Sequence, residues 1–122
     1  MLTAMRGGVL RVNGANETLD FTYVDDAADG IVAAATRIMA RNNTYNITKS
    51  HSVTLLSAAE MIVEIVGSGT IDIQDRDPDF PSRGALNIDR ARTILGFDPK
   101  IDVREGIENY HSWLKSSVYQ YI

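Results

Sequence analysis

The sequence contains no cysteine, which removes a disulfide framework, a thiol nucleophile and any thiolate metal site at a stroke. Its two histidines, His51 and His111, stand far apart, so a structural zinc site is not expected either. Basic residues are in the minority, 12 against 16 acids, for a formal charge of -4. A chain of that balance offers no cationic footprint for a phosphate backbone, and nucleic acid is not expected as a partner. No apolar run approaches the ~20 residues that span a bilayer. The opening Met1-Leu2-Thr3-Ala4-Met5-Arg6-Gly7-Gly8 has no apolar core of a signal peptide. The expectation is therefore a cytoplasmic protein without membrane contact. Repeats, charge blocks and low-complexity tracts are missing too.

What is present is ordinary globular composition, 44% hydrophobic and 23% charged over 122 residues, enough for one domain spanning 1–122. Short β-rich runs alternate with helical patterns, which predicts an α/β fold. Val9-Leu10-Arg11-Val12 reads as a strand closed by the turn signal Asn13-Gly14, and Leu19 to Val24 as a second. Asp25-Asp26 then supplies a helix N-cap. Ala28, Ile31, Val32, Ala35, Ile38 and Met39 follow helical spacing as an inward stripe, ending near Arg41. Thr44-Tyr45-Asn46-Ile47 reads as a short strand. Thr54 caps a helix with the stripe Leu55, Ala58, Ala59, Ile62, Ile65 and Val66, closed by Gly67. Thr70 to Ile73 is a further strand, and the two strand–helix–strand units favour parallel crossovers. After a polar loop, Asn87 opens a short helix carrying Ile88, Ala91 and Leu95 and closed by Gly96. Asp102-x-x-Glu105 is a capping box for a last helix that buries Val103, Ile107, Tyr110 and Leu114. The apolar run Val118 to Ile122 has no assigned place.

Two apparent motifs dissolve on inspection. Gly67-Ser68-Gly69 leaves a helix, whereas a phosphate-cradling loop leads into a helix N-terminus where N–H groups face the anion. Tyr45-Asn46-Ile47-Thr48-Lys49 has the Y-x-x-x-K spacing of short-chain dehydrogenases, but that pairing needs a helix to put i and i+4 on one face. The informative segment is Arg76 to Arg83, with two arginines, two prolines and two acids in eight residues. Arginine suits a diphosphate through two parallel hydrogen bonds, and a nearby acid can accept from ribose hydroxyls. Residue chemistry alone leaves a solvated charged loop as the other reading.

The order of these segments resembles a known family. Leu19-Asp20-Phe21-Thr22-Tyr23-Val24-Asp25-Asp26 resembles the R-D-F-x-Y-V-D-D segment of extended short-chain dehydrogenases, the NAD-dependent sugar-nucleotide epimerases and dehydratases. Tyr45-Asn46-Ile47 matches the Y-N-I segment, with Thr48-Lys49-Ser50 in place of G-S-G. Arg76-Asp77-Pro78-Asp79 resembles the R-x-G-D loop. Asn87-Ile88-Asp89-Arg90-Ala91, Leu95-Gly96-Phe97-Asp98-Pro99-Lys100 and Glu105-Gly106 resemble D-I-S-K-A, L-G-W-x-P-K and E-G. The likeness runs from Leu2 to about Leu114.

This resemblance implies the C-terminal, substrate-binding portion of such an enzyme, holding a UDP- or dTDP-sugar. The family's glycine-rich NAD-binding Rossmann half and its catalytic Tyr-x-x-x-Lys have no counterpart in the sequence. NAD is thus expected in a parent enzyme and no cofactor on this chain, whose partner would be the missing N-terminal half. No catalytic residue is expected, and hydride transfer by the chain alone is not. By the same resemblance Leu10, Arg11 and Asn13 flank the nucleobase and Phe21 lies near the sugar nucleotide. Arg76 grips the diphosphate, Asp79 bonds the ribose, and Arg83 falls near the hexose pocket. Leu19 departs from the pattern, replacing a second diphosphate-binding arginine. The alternative is a non-enzymatic binding or scaffold module that self-associates into a homo-oligomer, since a family fragment should expose apolar edge surface.

Overall fold

Strand β1 (Val9–Asn13) finds its partner far along the chain, in β4 (Thr70–Gln74). A computed structural model, which describes residues 1–116, pairs them in parallel register from Val9 opposite Thr70 to Asn13 opposite Gln74. The run Val118–Ile122 lies outside the described residues. Helix α3 (Leu55–Val66) packs on this pair together with a short opening helix, α1 (Leu2–Met5), which sequence patterning does not foresee. Thr54 caps α3 as expected, its Oγ1 accepting from the Ser57 amide at 3.1 Å. Carbonyls of Ala15 and Glu17 accept from the Leu56 and Leu55 amides, so the first turn of α3 is satisfied by the turn that follows β1. Gly67 ends the helix at φ 74, in the left-handed conformation that favours glycine.

The second strand pair differs from expectation. β2 covers only Thr18–Asp20 and runs antiparallel to β3 (Ser52–Thr54), so one of the two expected parallel crossovers is not formed. Phe21 to Tyr23 leave the strand because α2 begins at Val24 and runs to Thr36. Thr44–Ile47 lies extended without strand partners; its β-rich composition is spent on packing, with Tyr45 and Ile47 against the core. That core is Ala40, Ile88, Ala91, Leu95 and Phe97, where α2, the 3-10 turn Ile38–Ala40 and the π-helical turn Ala91–Leu95 meet. The latter stands where a short α-helix opened by Asn87 was expected. Asn87 instead accepts the Asp89 amide through its own side chain.

The stripe assigned to α2 faces the wrong way. Ile31 and Met39 are 63% and 74% exposed, and Val32 and Ile38 are exposed with them. The packed face is the small-residue one, Gly30, Ala33 and Ala34. A Cβ on Gly30 would stand 2.5 Å from Ile47 Cγ2 and 3.0 Å from Phe97 Cε2, so close approach selects glycine there. The helix also stops earlier, at Thr36, where Arg37 turns extended.

Asp26 is not the N-cap. Tyr23 holds that position without a side-chain bond. Asp26 is buried and accepts the Lys100 and Ile101 amides, both at 2.9 Å, fastening α2 to the chain entering α4 (Val103–Ser116). Asp102 caps α4 through the Glu105 amide. Leu114 is buried as expected, Val103 and Ile107 are half-buried, and Tyr110 is exposed, stacked on Trp113 at 5.9 Å. Arg104 joins α4 to α3 by donating both terminal nitrogens to Glu64, at 3.2 and 2.7 Å.

Replacing Asp26 with alanine strands two amides in a water-poor site and should destabilise the fold by about 1–3 kcal/mol, read by denaturant unfolding, with Asp26→Asn less harmful. The hydrogen bond from Arg104, and then its charge, lowers the Glu64 pKa from its ordinary value. A carboxyl depressed in the native state stabilises above its unfolded pKa and loses that contribution as pH falls through the native value. In Arg104→Gln the Glu64 titration, followed by NMR, should therefore move up, and the stability gap to the parent chain should close in acid.

Candidate functional site

The chain leaving β4 turns back over the end of β1, and this return makes a cleft of about 550 Å³. Its wall is Val9, Leu10, Arg11, Val12 and Asn13 from β1, with Leu55, Ala58, Ala59 and Ile62 from α3. Thr3, Glu17, Phe21, Arg76, Asp77 and Phe80 complete it. Five of the residues expected to bind a ligand, Leu10, Arg11, Asn13, Phe21 and Arg76, therefore line one cavity. The apolar floor comes from the α3 stripe, whose small members Ala58 and Ala59 are buried.

Two expected residues lie elsewhere. Asp79 is outside the lining, its amide donating to the Asp77 carboxylate at 2.9 Å. Asp77, two positions earlier, is the acid of this loop that faces the cleft. Arg83 also lies outside it. Its guanidinium sits over the Phe80 ring, 5.6 Å from the centroid, and its carbonyl accepts from Thr18 Oγ1.

Arg76 is held by two contacts within the protein. Its Nε stands 2.6 Å from Glu17 Oε1, and Nη2 donates to the Phe80 carbonyl at 2.7 Å. The second Glu17 oxygen accepts from Ser82 Oγ at 3.0 Å. Glu17 and Phe80 are missed by sequence reasoning. Glu17 stands next to a turn made by Gly14 at φ 77, and no local spacing links it to Arg76. Leu19 pairs with Val53 in the β2–β3 register and does not line the cleft.

Asp20, within the same motif, serves structure. It accepts the Leu86 amide at 3.0 Å and, more weakly, the His51 amide at 3.4 Å. Tyr45 and Lys49 do not form a catalytic pair. The Tyr45 hydroxyl points to the Ala40 carbonyl and the Lys49 ammonium donates to that of Pro99 at 2.9 Å. Gly67-Ser68-Gly69 do not make an anion cradle, because the Gly67 amide is bonded to Val63 and Ser68 Oγ to the Ala4 carbonyl. Among the described residues no group of His, Asp and Glu is placed to hold a metal ion. No helix among them is long and apolar enough to cross a membrane. A second recess of about 820 Å³ lies between Phe21–Asp25 and α4, walled by Ile107, Tyr110 and Trp113 and separated from the first by Phe21 and Ile62.

No protein-family model matches the chain. UDP-glucuronic acid decarboxylase 3 of Arabidopsis thaliana is 33% identical over 108 residues, which cover 85% of this chain and 30% of the plant protein. Among solved structures, epimerase Mth375 of Methanothermobacter thermautotrophicus superposes with a TM-score of 0.89 at 28% identity, over 94% of this chain and 35% of that one. UDP-glucuronic acid 4-epimerase of Bacillus cereus, solved with UDP-glucuronic acid and NAD, gives 0.81 at 27% identity, over 92% and 37%. The chain thus spans about a third of the length of the relatives it matches.

Proposed function

Because the chain belongs to the extended short-chain dehydrogenase/reductase family of NAD-dependent sugar-nucleotide epimerases, decarboxylases and dehydratases, we propose that it is a sugar-nucleotide-binding portion of such an enzyme. The observation that carries this reading is the cleft at the ends of β1 and β4, where an arginine stands among apolar and aromatic surface. A nucleobase would lie against Leu10 and Phe21, with Arg11 and Asn13 at its polar edge. The Arg76 fork would take the diphosphate. Asp77, which faces the cleft, replaces Asp79 as the acceptor for ribose hydroxyls.

The described residues do not fit NAD, since neither a glycine-rich helix entry nor a Tyr–Lys pair is built from them. Binding energy from the nucleotide, remote from any reacting sugar carbon, is what the cleft supplies. The parent enzyme's sugar, and whether it epimerises, decarboxylates or dehydrates, would depend on residues beyond this cleft.

A second reading, a scaffold that self-associates, is favoured by the exposed Ile31, Val32, Ile38 and Met39 of α2 and its 3-10 turn. In the leading reading the rest of a family-length enzyme covers this face.

Titration calorimetry of the 122-residue chain tests the assignment. Arg76→Ala should weaken UDP binding by about 10- to 100-fold, the value of one charge-assisted pair, and leave uridine unaffected. Equal binding of UDP by both proteins would remove Arg76 from the diphosphate site. Sedimentation separates the two readings. Ile31→Glu with Val32→Glu should abolish any oligomer without changing UDP affinity, whereas stable oligomers that ignore UDP would favour the scaffold.

A further inference from the structure

Glu17 is held through both its backbone and its side chain. Its amide donates to the Gly14 carbonyl at 2.9 Å and its carbonyl accepts from Leu55 at 2.8 Å, fixing the backbone on both sides. Its side chain is 13% exposed, against 41% for Arg76. A Cβ on Gly14 would stand 2.8 Å from Glu17 Cγ and 3.3 Å from Arg76 Cβ, so the turn brings acid and base together with nothing between them. The carboxylate takes Arg76 Nε on one oxygen and Ser82 Oγ on the other. Arg76 gives a further hydrogen to the Phe80 carbonyl. Part of its fork is therefore spent inside the protein.

The charges around the cleft balance. Arg11 and Arg76 are countered by Glu17 and Asp77, and Leu19 adds nothing. A diphosphate entering this cleft meets no net positive field, and must share Arg76 with an anion already in place. We propose that Glu17 is an internal counter-anion that competes with the ligand's diphosphate for Arg76, and so sets how strongly the cleft prefers a nucleoside diphosphate over the bare nucleoside. The inference rests on the reading of Arg76 as the diphosphate grip. Through Ser82 the same carboxylate holds the 76–83 loop across the cleft, so releasing it frees both the guanidinium and the loop.

The test is calorimetry of the full chain with UDP and with uridine, at two salt concentrations. Glu17→Gln keeps the shape and the Ser82 bond while removing the charge. It should tighten UDP about tenfold, as expected for freeing one partner of a close charge pair, with uridine within about twofold. Its UDP affinity should also fall more steeply with salt, because an uncompensated arginine now faces the ligand. Glu17→Asp, which keeps the charge but draws the carboxylate back from Arg76 by one methylene, should shift UDP in the same direction by about two- to threefold. It keeps the inference testable should Glu17→Gln fail to fold. Unchanged or weaker UDP binding in a folded Glu17→Gln would mean that Glu17 orients Arg76 instead, and would overturn the proposal. No shift in Glu17→Asp when Glu17→Gln is unfolded would do the same. If Arg76→Ala loses UDP while Glu17→Gln gains none, only the competition falls. If Arg76→Ala binds UDP normally, the diphosphate assignment falls and takes this inference with it.

Discussion

Parallel strands cannot be joined by a hairpin, so β1 and β4 meet only because α3 carries the chain back between them. Everything assigned to the cleft depends on that pairing. In its register Asn13 stands opposite Gln74, which puts the exit of β4, and hence Arg76, beside the exit of β1. The bond from the Gly14 amide to the Gln74 carbonyl extends the ladder one step and turns the chain toward Glu17. A slip of one residue would turn Arg11 and Asn13 to the other face and break the arginine–carboxylate contact together with the apolar wall.

Around that frame, two acids act as fasteners for backbone that has no secondary-structure partner. Asp20 collects amides from Leu86 and His51, and Asp26 from Lys100 and Ile101. Irregular segments leave polar groups that must be satisfied if they are to be buried. A carboxylate with two oxygens can serve two such amides at once. Motif acids that invite a functional reading are, in this chain, the means by which long loops are held against short strands.

Much of what a few adjacent residues determine is legible in the sequence, although the caps expected at Asp25-Asp26 and Asn87 do not form. β1 and β4, the Thr54 and Asp102 caps and the glycine stops at Gly67 and Gly96 each follow from a few adjacent residues. Most of the other departures need a distant partner. Tyr45 and Ile47 have strand composition but no free strand beside them. The period of α2 is helical, yet its small face packs and its large apolar face stays exposed, because Ile47 and Phe97 come close enough to require Gly30. The cleft shows the same division. Arg76 is conspicuous by type and by its loop, whereas Glu17 is invisible until the Gly14 turn is known. Asp77 and Asp79 are interchangeable on paper, and only the bend of the loop decides which acid faces inward.

The balance of forces in the cleft bears on what it can contribute to an enzyme. Leu10, Phe21, Leu55 and Ile62 offer apolar area at about 25 cal/mol per Å², which favours a base whatever its phosphorylation state. In the proposed reading Arg76 would be the group that distinguishes a diphosphate, and its partial commitment to Glu17 and Phe80 would reduce that distinction. On that reading neither contribution would grow between a bound sugar and its transition state, because both would act on the nucleotide end. Such binding raises occupancy without lowering the chemical barrier. A cleft of this kind is suited to holding one end of a substrate still while groups outside it act on the other.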